Sequence, residues 1–207
     1  MSAPRGRIDK QQAVLTAAFT VFARSGYAQA RVDEIAAEAQ VAKATVYNHF
    51  GDKETLFRQV VQALSDTALA ANLAAVEHLV DNDDLPATLR EVGFQLARCY
   101  CAEESRVLRR LVAAEAAQFP DLLDIVGAVP RRVTQALADR LARLALAGSL
   151  HIDDPEMAAT QFTALLTGGL DSRSRLGTRA VPDTEIRTGT DAAAATFLKA
   201  FGGANHS

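Results

Sequence analysis

The sequence predicts an all-α protein of nine helices in two domains, a small three-helix domain over residues 1–51 and a larger helical domain over 52–207. Three observations carry that prediction. Apolar side chains recur at i, i+3, i+4 and i+7 through most of the chain, the period of an amphipathic helix and not of a strand. Alanine dominates, Trp is absent and long stretches hold neither Gly nor Pro, so helix breakers are confined to a few places. A composition 49% hydrophobic over 207 residues suffices for a core of this size.

The first helix is expected over about residues 9–24, with Leu15, Ala18, Phe19 and Phe22 as its buried stripe and Gly26 as a left-handed stop. Two short helices follow, about 32–39 and 43–50. The fourth begins near Asp52, a residue placed to cap it, and runs through Leu56, Phe57, Val60, Val61 and Leu64 to about residue 80. The run Asp81-Asn82-Asp83-Asp84 breaks the pattern, and Pro86 suits the first turn of a fifth helix ending near 102. A sixth is expected over about 106–118. Pro120 and Pro130 bracket a short helical piece, and the seventh helix is expected from 130 to 147, ended by Gly148. Asp154-Pro155-Glu156 reads as a cap followed by Pro at the first position of the eighth, to about 175. The ninth, about 183–201, contains Thr188, Gly189 and Thr190, poor formers in a helix interior.

The second and third helices carry the function. Val32, Ile35, Ala36 and Ala39 fall on one face of the second, and Val46 and Phe50 on one face of the third, across a turn of a few residues: a helix-turn-helix. The third buries only those two side chains. Its other residues, Lys43, Ala44, Thr45, Tyr47, Asn48 and His49, are donors and small methyl-bearing groups of the kind that meet phosphates and base edges. Tyr47, His49 and Lys53 are expected on phosphates, with Lys53 helped by the positive start of the fourth helix. Lys43, Thr45 and Asn48 suit base edges, and Ala44 a thymine methyl. Arg5 and Arg7, near the start, suit the minor groove or a disordered basic tail.

The segment GYAQARVDEIAAEAQVAKATVYNHFGDKETLF resembles the DNA-binding signature of the TetR family of bacterial regulators, and the likeness extends over about residues 9–60. The remainder resembles that family's helical ligand and dimer domain, including an FPDLL segment after the sixth helix and a DDPE start to the eighth. Three positions depart from the pattern. Gln40 stands at the turn position where Gly is usual, and Ala42 and Arg31 stand where hydroxyl residues commonly cap the third and second helices. Arg31 is expected to reach a phosphate itself.

The resemblance implies a homodimer that binds a palindromic operator, represses, and is released by a small molecule. Two recognition helices must then lie about 34–36 Å apart, one turn of DNA. The implied interface uses Phe162, Leu165, Leu166 and Gly169 of the eighth helix and Ile186, Ala193, Phe197 and Phe201 of the ninth, with Gly168 and Gly169 allowing close approach. The alternative is that these stripes are core of one protomer. The implied effector cavity is lined by Phe94, Arg98, Tyr100, Leu108, Leu111, Phe119 and Phe162, with Arg98 and Tyr100 as polar anchors.

The net charge of -3 hides a split. Residues 1–60 hold eight Lys or Arg against six acids, while 61–207 hold fourteen against nineteen, so the positive end is the end with the motif. No apolar run approaches the roughly 20 residues of a membrane span, and the polar start does not resemble a secretory signal, so the cytoplasm is the expected location. Cys99 and Cys101, at i and i+2 of a helix, diverge and are expected as reduced thiols. His78 and His151 are isolated, and neither a metal nor another cofactor is expected. An all-helical enzyme with Mg²⁺ on Asp81, Asp83 and Asp84 is the competing class. No second acidic cluster, phosphate loop or nucleophile elbow accompanies those acids, and catalysis is not expected.

Overall fold

The computed structural model of the chain describes residues 3–202, with side chains described from Lys10 onward. Its helices are α1 (Ala3–Gln29), α2 (Val32–Glu38), α3 (Lys43–Phe50), α4 (Lys53–Glu77), α5 (Leu85–Cys101), α6 (Glu103–Glu115), α7 (Asp121–Leu146), α8 (Pro155–Thr167), α9 (Leu170–Arg173) and α10 (Asp183–Phe201). The nine expected helices are all present, and the tenth segment, α9, is a single turn. The side chains of Arg5 and Arg7 lie outside the described residues.

Local signals place most boundaries. The α1 helix is interrupted at Gly26 (φ 73, ψ 166). Asp52, Asp84 and Asp154 each accept from the backbone N–H three residues on, Thr55, Ala87 and Met157, at 2.7, 3.0 and 2.9 Å. Gly148 (φ 80) follows the end of α7. Two expectations need correction. The α7 helix runs unbroken through Pro130, although proline there removes an N–H from the ladder. Leu122 before the proline and Leu137 and Leu141 after it are fully buried, and that packing outweighs the local cost. The eighth helix stops at Thr167, and Arg175, Leu176 and Gly177 then take φ values of 50, 56 and 82. Buried Arg106 pins that turn, donating to the Gly177 carbonyl at 2.9 Å and the Cys101 carbonyl at 3.0 Å. The α10 helix is continuous across Thr188-Gly189-Thr190, where both threonine hydroxyls donate to carbonyls of the preceding turn.

The chain divides into two compact units, Met1–Asp66 with Val107–Val126, and Thr67–Arg106 with Gly127–Ser207. Unit 1 is built on Val14, Ala18, Val21 and Phe22 of α1, Ile35 of α2, Val46 and Phe50 of α3, and Leu56, Phe57, Val60 and Val61 of α4. Its centre is aromatic. Tyr27 lies 4.8 Å from Phe57 and 4.9 Å from Phe119 between ring centroids, and Phe22 lies 5.0 Å from Phe57. Edge-on and tilted contacts of this kind contribute about 0.5–1.5 kcal/mol each beyond area burial. Burial, then the acids Glu54 and Asp52, pushes the Tyr27 hydroxyl above its ordinary pKa.

Unit 2 packs α5 against α8 and α10. Gly93 permits the close approach of α5 to α8, since a Cβ there would stand 2.9 Å from Leu166 Cδ2 and 3.3 Å from Phe162 Cζ. A separate cluster gathers Phe94, Ala97, Cys101, Leu170, Val181 and Ile186.

Candidate nucleic-acid interface

The turn between α2 and α3 is closed by two backbone bonds, Val41 N–H to the Ala36 carbonyl at 3.0 Å and Gln40 N–H to the Ala37 carbonyl at 3.1 Å. This double closure requires a left-handed residue after the cap, and Gln40 supplies it at φ 55. A side chain in that region costs what glycine does not. Neither Arg31 nor Ala42 caps its helix through a side chain, as their chemistry dictates.

On α3, Val46 and Phe50 are buried, Lys43, Ala44, Tyr47 and Asn48 are exposed, and Thr45 and His49 are half-buried. Tyr47 keeps 43% of its surface, unusual for a large aromatic in so short a helix. Gly51 (φ 78) then turns the chain toward Asp52 and α4. Three expected contacts meet around a residue that sequence reasoning missed. Asp33, in the first turn of α2, pairs with Lys43 at 2.7 Å and Arg31 at 3.7 Å, while the Lys43 ammonium stands 6.0 Å from the Tyr47 ring centroid. The Lys43 hydrogen bond, the main cause, holds the Asp33 carboxyl below its ordinary 3.8 and pushes Lys43 above its ordinary value. All three charges are well exposed, so the pairs open at small cost.

Lys53 differs in kind from the other expected contacts. Its ammonium donates to three carbonyls, Tyr27 at 2.9 Å, Ala30 at 3.1 Å and Ala28 at 3.4 Å, and lies 4.4 Å from the Tyr27 ring centroid. Its three N–H groups are thus engaged on the segment that leads from α1 into α2.

The seven residues expected around an effector divide between the two units. Leu108, Leu111 and Phe119 belong to the core of unit 1, Phe162 to the α5–α8–α10 core, and Phe94 to the third cluster. Arg98 is exposed with its guanidinium 5.9 Å from the Phe94 centroid, and the Tyr100 hydroxyl donates to Asp171 at 2.8 Å. Arg187 stands closer to Phe94, at 3.7 Å. An open groove of about 370 Å³ lies between α7 and α8, lined by Pro130, Thr134, Gln135 and Ala138 with Glu156 and Thr160.

The expected dimer stripe is corrected in a similar way. Phe162, Leu166, Ile186, Ala193 and Phe197 are 0–4% exposed inside the single protomer, and half-buried Phe201 packs its ring 4.8 Å from Phe197. The stripes face each other because α5, α8 and α10 form one core. Leu165, at 44% exposure, and Gly169 face outward, together with Met157, Gln161 and Ala164 of α8 and Ala192 and Ala195 of α10.

Asp84 caps α5 and Asp81 accepts from the Ser149 hydroxyl, so two of the three acids of the competing enzymatic reading have structural partners. Among the described residues no three His, Cys, Asp or Glu side chains are grouped to hold a metal, and no helix is long and apolar enough to cross a membrane. Burial pushes the Cys99 thiol above its ordinary pKa.

Residues 14–60 match the bacterial regulatory proteins of the tetR family, and residues 87–203 match the AefR-like transcriptional repressor C-terminal domain. An HTH-type transcriptional repressor of Mycobacterium tuberculosis is 28% identical over 202 residues, 95% of this chain and 93% of that protein. The HTH-type regulator YvkB of Bacillus subtilis is 24% identical over 168 residues, 81% of this chain and 85% of that one. The fold is similar to the crystal structure of a TetR-family regulator from Mesorhizobium loti, with a TM-score of 0.86, 27% identity, and 95% and 98% of the two chains covered. It is also similar to the flavonoid-responsive regulator FrrA, with a TM-score of 0.66, 29% identity, and 93% and 97% covered. With the C-terminal match alone spanning more than half of the chain, and the helix-turn-helix match preceding it, the protein belongs to the TetR family of bacterial transcriptional regulators and is not an enzyme.

Proposed function

We propose that this regulator binds a palindromic operator as a homodimer, represses transcription there, and is released by a small molecule. The observation that carries the reading is α3 itself: eight residues that bury only Val46 and Phe50 and leave Lys43, Ala44, Tyr47 and Asn48 to solvent. Lys43, Thr45 and Asn48 read base edges, Ala44 meets a thymine methyl, and Arg31, Tyr47 and His49 hold phosphates. No side chain covers the first N–H groups of α3, which leaves a favourable place for a phosphate oxygen. Lys53 supports this surface by holding the end of α1, with a phosphate contact open to it only if it leaves a carbonyl.

Dimerisation is assigned to the outward faces of α8 and α10, where Leu165, Gly169 and Met157 offer exposed apolar and small surface. The effector is assigned to unit 2, with Phe94, Arg98 and Tyr100 of α5 as the members of the expected set that share one helix. The repressor named among the relatives and the flavonoid response named for FrrA support repression and small-molecule release. Since α4, α6 and α7 each contribute residues to both units, an effector that prefers one arrangement of those helices shifts DNA affinity reciprocally.

Fluorescence anisotropy with labelled duplex tests the reading. Log affinity is expected to fall linearly with log salt, and Tyr47→Ala to weaken binding at every sequence. Salt-independent binding, or an undiminished Tyr47→Ala variant, contradicts it.

A further inference from the structure

We propose that Phe119 and Asp121, at the corner between α6 and α7, are positioning residues for DNA binding. The inference rests on the reading of α3 above. Neither residue belongs to the helix-turn-helix, and Asp121, an anion, cannot itself hold a phosphate.

Two contacts bring this corner onto the frame of α3, all of them within unit 1. The Arg58 guanidinium of α4 donates to Asp121 through both prongs, Nε to Oδ2 at 2.8 Å and Nη2 to Oδ1 at 3.4 Å. The same guanidinium pairs with Glu54 one turn earlier and stands 5.0 Å from the Phe119 ring centroid. Arg58 is therefore held between the first turn of α4 and the first residue of α7. Planar two-pronged pairing fixes orientation as well as distance, which a lone ammonium would not.

Phe119 supplies the second contact. It is 2% exposed and meets the Tyr27 ring edge-on, at 83° and 4.9 Å, and the Phe57 ring at 60° and 5.8 Å. Tyr27 carries on its ring the ammonium of Lys53, which grips the three carbonyls leading into α2. The corner thus bears on both ends of the reader: on α4 directly behind Gly51, and on the segment that introduces α2. A shift at residues 119–121 moves the base on which α3 is set, without touching α3.

The Asp121 carboxyl lies beside a basic side chain whose charge it partly cancels. On long-range electrostatics alone, deleting this negative charge tightens binding to a polyanion. Positioning predicts the reverse sign, and that opposition separates the two explanations.

The test compares Asp121→Asn, Asp121→Glu and Phe119→Leu with the parent protein in duplex binding, at a temperature where thermal unfolding shows every variant folded. Asp121→Asn is expected to weaken binding roughly twofold to fivefold with the salt dependence unchanged, the scale of one part-exposed ion pair, and Asp121→Glu to restore most of it. Phe119→Leu is expected to weaken binding in the same way. Asp121→Asn binding as well as or better than the parent overturns the inference while leaving the DNA reading intact. A parent protein that binds no duplex overturns both.

Discussion

The ammonium of Lys53 lies 4.4 Å from the centroid of the Tyr27 ring and donates to the carbonyl of the same residue at 2.9 Å. One side chain at the start of α4 thereby closes the C-terminal end of α1, where carbonyls lack helical partners. Lys53→Met keeps the methylene stem and removes the charge. It is expected to lower stability by about 1.5–3 kcal/mol, the scale of hydrogen bonds to a charged donor, and to weaken duplex binding at all sequences alike. Denaturant titration and anisotropy check the two effects; an unchanged midpoint contradicts the structural role.

Gln40 occupies the left-handed position of the α2–α3 turn at φ 55. Gly adopts that region without a Cβ penalty. Gln40→Gly is therefore expected to raise stability by up to about 1 kcal/mol, read as a higher urea midpoint with an unchanged slope. A lower midpoint would show that the turn gains more from the Gln side chain than it loses in backbone strain.

Asp33 ties up Lys43 and Arg31 in the free protein. Asp33→Asn releases both cations and removes a negative charge facing DNA, so duplex affinity is expected to rise several-fold. Loss of an acid from the first turn of α2 is expected to lower stability slightly, since a negative charge there favours the positive end of the helix. Lys43→Ala should instead relax sequence preference at one base position. Competition between matched and single-substituted duplexes measures it, and uniform weakening across positions assigns Lys43 to the backbone.

Leu165 is exposed, whereas Phe162, one turn before Leu166 on the buried side of α8, is sealed in the protomer. Leu165→Glu is expected to leave a folded monomer with greatly weakened operator binding. Phe162→Ala is expected to destabilise the fold itself by about 3–5 kcal/mol. Sedimentation velocity and thermal unfolding separate these cases. A Leu165→Glu protein that remains dimeric moves the interface away from this face.

These contrasts show what the sequence could and could not convey. Asp52 and Asp154, and the stops at Gly26 and Gly148, were legible because a cap or a positive φ is decided within a few residues, whereas Asp84, read only as part of a break, proved to cap α5. So was the face of α3, where two apolar residues leave the rest outward. Periodicity shows that Phe162, Leu166, Ile186 and Phe197 are buried but not against what, and the partner proved to be the same protomer. Pro130 misled because the cost of proline is local while the packing of Leu122, Leu137 and Leu141 that overrides it is not. Lys53 reaches carbonyls 23 to 26 positions away, and Arg58 an acid 63 away, separations on which spacing rules are silent.

Selection of bound fragments from a random duplex pool tests the central claim most directly, because recognition by α3 and pairing of two protomers leave separate marks on the recovered DNA. The expected result is an enriched inverted repeat whose half-sites are centred about one or two helical turns apart, with the parent losing selectivity on Lys43→Ala. Recovery of no enriched motif, or of a single unpaired half-site, would contradict the account.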